Sequence, residues 1–250
     1  MTDEERNNPS EMPFLDHLEE LRWRLMKVLA GILCGSILSF LVVDKIIALL
    51  INPVYGVNTP LNLQVLQIQG MFIIKWGLSF ICGSILSLPL ITYQIWEFVS
   101  PGLHLKERKI VFPLILFTFI SFITGIMFAY FTLIPISLNF FTSMGYNAIQ
   151  NNFSINYYFS FITWLMIGCG SLFELPVLIF ILARLNIATP SFLKHYRKHA
   201  IISIMILSAI ITPPDPVSLI IMTIPLILIY EISIGVAYLA KPRLSSSSNS

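Results

Sequence analysis

Charge is scarce in this chain. Asp, Glu, Lys and Arg make up 11% of its 250 residues, against about a quarter in an ordinary soluble domain. Between Ile110 and Phe173 there is none at all, which excludes a water-facing surface for that segment. Cysteine is also sparse. Cys34, Cys82 and Cys169 all fall in apolar stretches, and their odd number and spacing match neither a disulfide framework nor a metal site. They read as small packing residues. No His-Glu-x-x-His occurs, Gly168-Cys-Gly-Ser171 is not a Gly-x-Ser-x-Gly elbow, and His17, His104, His195 and His199 all lie near one face. No enzyme is expected, and no metal or cofactor. Residues 1–13 are polar and acidic, without the basic start and short apolar core of a cleavable signal. The first apolar stretch is therefore expected to remain as an anchor. No internal repeat is visible.

What is abundant is apolar length. The chain is 56% hydrophobic and divides into six apolar stretches, and its basic residues alternate with them. Of 15 Lys and Arg, all but Lys45 and Lys75 fall in four places: Arg6–Lys27, Lys106–Lys109, Arg184–Lys198 and Lys241–Arg243. The loops near 52–70, 142–156 and 213–216 carry none. Basic residues collect on the cytoplasmic side of a bilayer. Six crossings with both termini cytoplasmic satisfy that rule at every loop. The expected fold is an all-α integral membrane protein with six transmembrane helices. Residues 1–13 form a polar acidic tail, 14–240 one six-helix membrane domain, and 241–250 a Ser-rich cytoplasmic tail.

The first span is expected over Met26–Leu50 and the second over Met71–Trp96, with Lys75 at its outer start. The polar patch Ser143–Asn156 divides the uncharged segment into spans three and four. The last two spans, Ala200–Thr212 and Val217–Tyr230, look short: 13 and 14 residues reach roughly 20 Å, against a hydrocarbon core of about 30 Å. Local thinning or a re-entrant hairpin would accommodate them. Pro89, Pro113, Pro135, Pro176 and Pro225 lie inside spans, where each removes a helix hydrogen bond. The result expected is a kinked, concave bundle.

Three segments carry chemistry. In Met12–Leu25, Phe14, Leu18, Leu21 and Leu25 form one helical stripe, with Asp16, Glu19, Glu20 and Arg24 elsewhere. This predicts an interfacial helix running into span one, with Glu20 and Arg24 as an i,i+4 pair. Acidic charge suits a basic peptide better than an anionic membrane surface. In Tyr93–Lys109 a Pro-Gly turn precedes Glu107. Glu174 is the one acid well inside a span. A carboxylate there costs about 3 kcal/mol on insertion scales and must face protein or water.

Together these motifs resemble the TatC family, the multispanning receptor subunit of the twin-arginine protein translocase. The residues that carry the resemblance are His17-Leu-Glu-Glu-Leu-Arg22 with Arg24-Leu25, Pro89–Trp96 with Phe98, Pro101-Gly-Leu103 and Glu107-Arg108. Phe128-Ala-Tyr-Phe131, Pro135, Phe173-Glu-Leu-Pro176, Thr212-Pro-Pro-Asp215, Pro225 and Tyr230-Glu231 follow in order. The resemblance implies a receptor for signal peptides with consecutive arginines. Such a receptor moves folded proteins across the inner (cytoplasmic) membrane, or an organellar equivalent, on the proton-motive force, with the single-span partners TatA and TatB and with further copies of itself. It implies that Glu20 and Glu107 form the arginine site, flanked by Glu19, Arg22, Phe98 and Arg108. It also implies an intramembrane polar or partner site at Glu174, with Thr212 and Tyr130, and a matching loop proline at Pro53. The chain departs from the family pattern at Leu219, where a Gln is usual, and at Ile68-Gln69-Gly70, where Pro-x-Glu is usual. Membrane lipid is the expected surroundings, and no nucleic acid is expected as a partner. A proton-coupled secondary transporter of a small solute, using Glu174, is the alternative. The missing inverted repeat argues against it.

Overall fold

The computed structural model describes residues 14–56, 61–99, 111–144, 152–184 and 187–240. Their Cα atoms fall into two compact units, Met1–Leu49 with Gln67–Phe119, and Leu50–Leu66 with Ile120–Ser250.

In the first unit, α1 runs unbroken from Phe14 to Leu41. No proline interrupts it, so the expected interfacial helix is simply the opening turns of the span. At 28 residues it is about 42 Å long, some 12 Å more than the hydrocarbon core. An excess of that length is about eight residues, enough for the opening turns of α1 that hold Glu19 and Glu20. Leu18, Leu21 and Leu25 of its apolar stripe are 43–55% exposed, so the described residues of the chain's own core do not cover that face. The span expected to reach Leu50 instead breaks at Val42. Helix α2 (Val43–Tyr55) follows, with Asp44 in its first turn, where the helix dipole favours a carboxylate. Asp44 Oδ1 lies 2.7 Å from Lys75 Nζ, so these two charges neutralise each other. Val43, Ile47, Leu50 and Val54 are the buried apolar residues of α2, whose residues from Leu50 onward belong to the second unit; Pro53 sits in its last turn, where its carbonyl accepts from Gly56 N.

Helices α3 (Gly70–Leu86) and α4 (Leu88–Val99) meet at a 52° bend. The cause is Pro89, which has no N–H to continue the ladder. The buried Ser87 spans the break, donating its N–H to Gly83 O and accepting from Ile91 N. Helix α1 packs on α3 through small residues spaced by four: Gly31, Gly35 and Ser39 on one, Ser79, Gly83 and Ser87 on the other. A Cβ at Gly83 would collide with the backbone of Ser36, and one at Gly35 would stand 2.6 Å from Gly83 O. Helices in lipid gain association from such backbone approach, because apolar surface alone prefers neither partner.

In the second unit, α5 (Val111–Phe128, of which residues from Ile120 belong here) continues through a wider π turn, Ala129–Leu133, into α6 (Ile134–Ser143). Pro135 cannot donate to the carbonyl one turn back, and the wider turn absorbs that loss. Helix α7 (Ile155–Phe173) and α8 (Leu175–Arg184) are separated at Glu174. Gly125 brings α5 against the Cys169 and Gly170 backbone, while Gly168 admits Ile211 of α10. Cys169 is fully buried there, as a packing residue should be, whereas Cys82 is half-buried and Cys34 exposed; all three are free thiols. Two three-residue strands, β1 (Asn62–Gln64) and β2 (Asn152–Ser154), pair in parallel with Leu63 opposite Phe153. They are an addition to the all-α expectation, formed where two linkers run extended side by side.

A short helix α9 (Pro190–His195) is capped by Thr189 Oγ1, which accepts from Phe192 N at 3.3 Å. It leads to α10 (Arg197–Ile211) and α11 (Pro216–Ala240). The expectation of a short pair holds for one helix only. Helix α10 has 15 residues, about 22 Å. Helix α11 has 25 because it continues past Glu231, whose charge is paired by Arg197. Among the described residues four helical segments are long and apolar enough to cross a membrane, and a fifth if the bent α3–α4 pair is counted as one.

Replacing Gly83 with Leu should separate α1 from α3, since the clash is with backbone that cannot rotate away. A thermal midpoint lowered by ten degrees or more in detergent is expected, and an unchanged midpoint would refute the packing role.

Candidate functional site

Two places carry the polar chemistry. The first lies where the projecting turns of α1 meet α4. Glu20 is half-buried, its side chain 23% exposed, and Oε1 accepts from both Nε and Nη2 of Arg24, the Nε bond being 2.9 Å long. The spacing of four predicted that pair. Arg24 is buried further, at 16%, and its third contact was not foreseen: Nη1 donates to Gln94 Oε1 of α4 at 3.3 Å. Gln94 is 7% exposed. An uncharged amide buried between Tyr93 and Ile95 needs a hydrogen-bond partner, and that was the signal available in the sequence. Glu19 and Arg22 are exposed on α1, and Phe98 is half-buried one turn beyond Gln94. The structure therefore gathers Glu20, Arg24 and Gln94, with Glu19, Arg22 and Phe98 on the flanking turns of the same two helices. Glu107 and Arg108 lie outside the described residues.

The remaining polar residues lie in the second unit, each with its own partners and with no contact joining Glu174, Thr212 and Tyr130 to one another among the hydrogen bonds described. Glu174 occupies the break between α7 and α8. Its N–H donates to Ser171 O, and its carbonyl accepts from Val177 N and Leu178 N. Oε1 is buried with no hydrogen-bond partner. The α7 end beside it is pinned by Ser121 of α5, whose hydroxyl donates to Phe173 O. Thr212 is buried, and its hydroxyl is committed to Ser208 O at 2.8 Å. Tyr130 lies in the π turn with its ring against Phe131. Pro53 belongs to α2, in a different local setting.

Asp215 is a further buried acid of the second unit, legible in the sequence only as part of a motif. It is 3% exposed and caps α11. Its Oδ1 accepts from Ser218 N at 2.6 Å, and Pro216 takes the first helical position, where no N–H is required. The Ser218 hydroxyl in turn meets Ser137 of α6 at 2.7 Å. Asp215 Oδ2 is buried without a partner. Leu219, where the family pattern has a Gln, is half-buried on the next turn position.

The family model described as "Sec-independent protein translocase protein (TatC)" matches residues 16–225. The TatC protein of Carboxydothermus hydrogenoformans is 37% identical over 233 residues, covering 93% of this chain and 95% of that one. The TatCy protein of Bacillus subtilis is 35% identical over 244 residues, covering 97% and 95%. A crystal structure described as the twin-arginine translocase receptor TatC superposes with a TM-score of 0.76 at 33% identity, over 90% of this chain and 99% of that one. Apolar membrane-crossing helices, the ordered motifs and these matches along nearly the whole length place this multi-pass membrane protein in the TatC family of Sec-independent protein translocase components.

Proposed function

We propose that this chain is the signal-peptide receptor of a twin-arginine translocase. Peptides bearing adjacent arginines are captured by Glu20 and Glu107, and folded cargo then crosses the cytoplasmic membrane on the proton-motive force with TatA and TatB. The protein is a non-catalytic subunit that also associates with its own copies. In this reading residues 14–240 make six crossings as one membrane domain, α10 being the short one, with both termini cytoplasmic.

The observation that carries the proposal is the state of Glu20. Its carboxylate is half-buried, projects from the part of α1 longer than the bilayer core, and already accepts a guanidinium edge from Arg24. Arginine–carboxylate pairing is stronger and more directional than pairing with an ammonium. A peptide with two arginines needs two such acceptors, and Glu107 follows in sequence α4, the helix whose Gln94 accepts from Arg24, the partner of Glu20. Glu19, Arg22, Phe98 and Arg108 form the surroundings of the site. The unpartnered Oε1 of Glu174 supports a separate role within the membrane, where a buried polar group without a hydrogen bond is costly and where partner helices supply the missing contact. Thr212 and Tyr130 belong to that partner site, and Pro53 shapes the first loop.

A photoreactive twin-arginine peptide presented to membrane vesicles should crosslink to the wild-type protein. Glu20→Ala or Glu107→Ala should each reduce the yield at least about tenfold, the loss of roughly one charge-assisted hydrogen-bonded pair. Glu107→Arg should be worse than Glu107→Gln, because it adds repulsion. Equal losses would count against direct arginine contact.

Glu174→Gln should leave peptide capture within about twofold of wild type and lower cargo translocation in the same vesicles. Loss of capture before loss of translocation would assign Glu174 to the receptor site instead.

A further inference from the structure

The site proposed for the peptide's arginine is not vacant of arginine. Arg24 lies one helical turn from Glu20 and directs Nε and Nη2 at the same oxygen, Oε1. Any peptide guanidinium that approaches along that edge meets a guanidinium already seated. Arg24 has a second acceptor, Gln94 Oε1 at 3.3 Å, a long bond for a charged donor. Gln94 is on the neighbouring helix, buried and uncharged, so it can hold the arginine without competing for it as strongly as a carboxylate does.

The geometry points to Arg24 as a resident occupant of Glu20 that a signal-peptide arginine displaces, with Gln94 receiving the displaced side chain. This rests on the receptor reading of Glu20 and adds a specificity determinant to it. The resident guanidinium is tethered, so its effective concentration is high. A lysine ammonium offers one point charge where Arg24 offers a fork, and it loses the exchange. An incoming arginine matches the fork and, with its neighbour anchored elsewhere, wins. Discrimination between arginine and lysine then arises from competition within the receptor as well as from direct affinity. Displacement moves Arg24 fully onto Gln94, so the Arg24–Gln94 bond counts for more in the bound state than in the free one.

This predicts opposite signs for two substitutions on adjoining helices. A fluorescent peptide with adjacent arginines is titrated against the full chain in detergent, with a twin-lysine counterpart as comparison. Arg24→Gln should tighten twin-arginine binding on the order of three- to tenfold, between the worth of an exposed i,i+4 pair and a buried charged hydrogen bond. It should also shrink the arginine-to-lysine ratio. Gln94→Leu should weaken the same binding by a few-fold, because the displaced guanidinium loses its acceptor. Arg24→Lys keeps the charge with a poorer fit and should tighten binding less than Arg24→Gln, and it decides the sign should Arg24→Gln not fold. A structural role for the pair would drive both helices' variants in the same direction. Weakened or unchanged binding in the Arg24 variants overturns displacement. Glu20→Gln separates the two proposals. If it abolishes binding while the Arg24 variants do not tighten it, the receptor stands and displacement falls. If it changes nothing, the receptor reading of Glu20 falls first.

Discussion

In hydrocarbon no water satisfies a free backbone N–H or C=O, so every departure from a continuous helix must be repaired by the protein itself. That constraint fixes where this chain bends and what stands at each bend. At Pro89 the repair is Ser87, whose backbone bridges Gly83 and Ile91. At Pro135 it is a π turn from Ala129 to Leu133, with Ala129 and Leu133 fully buried against neighbours. Ahead of Pro176 it is Glu174, whose main chain bonds on both sides of the break. Before α11 it is Asp215, whose carboxylate substitutes for the missing previous turn. Most other polar side chains of the spans are hydroxyls that donate to the carbonyl four residues back, as Ser36, Ser79, Thr223 and Ser233 do. Glu174 and Asp215 differ from the rest in keeping one buried carboxylate oxygen unpaired, which backbone repair does not demand.

The second consequence concerns how helices associate once no apolar driving force separates lipid from protein. Within the first unit α1 meets α3 along Gly31, Gly35 and Ser39 against Ser79, Gly83 and Ser87, a contact with almost no side-chain volume. Close backbone contact on one face of α1 leaves its Leu29, Leu33 and Ile37 outward, and the helix runs unbroken back from that contact to Phe14. Glu20 and Arg24 are positioned by that extension. Their alignment with Gln94 depends on α1 and α4 being held in a fixed relation by glycine contacts more than a turn away, Gly31 against Leu90 being the nearest.

Much of this was legible in residue order. Alternating basic loops and apolar stretches gave the helical membrane class, the patch Ser143–Asn156 correctly separated α6 from α7, and Pro89 marked the bend between α3 and α4. The Glu20–Arg24 pair followed from a spacing of four. What was not legible needed a neighbour from elsewhere in the chain. Helix α2 separates from α1 at Val42 without proline or glycine, and Asp44 finds Lys75 thirty-one positions later. Helix α11 looked short because Glu231 was taken as its boundary. Arg197, from the preceding helix, pairs with that charge and lets the helix continue to Ala240. Gln94 is one polar residue in an apolar segment, and its role depends on Arg24, seventy positions earlier.

The acids divide by how they are held. Asp44 and Glu231 are exposed and matched to single basic partners, and such pairs contribute little net energy. Asp215 spends one oxygen on a helix cap. Glu20 is half-buried and tied to a guanidinium that is itself tied to a second acceptor. A carboxylate kept only for stability has no need of a donor with somewhere else to go, since a buried pair is already served by its own closeness. A donor with two acceptors of unequal strength is a two-position element, and the better acceptor can be released to a stronger competitor at the cost of moving one side chain. The same logic explains why the flexible part is Arg24 and not Glu20: the longer side chain can change acceptors while the carboxylate stays fixed on α1 for the incoming ligand.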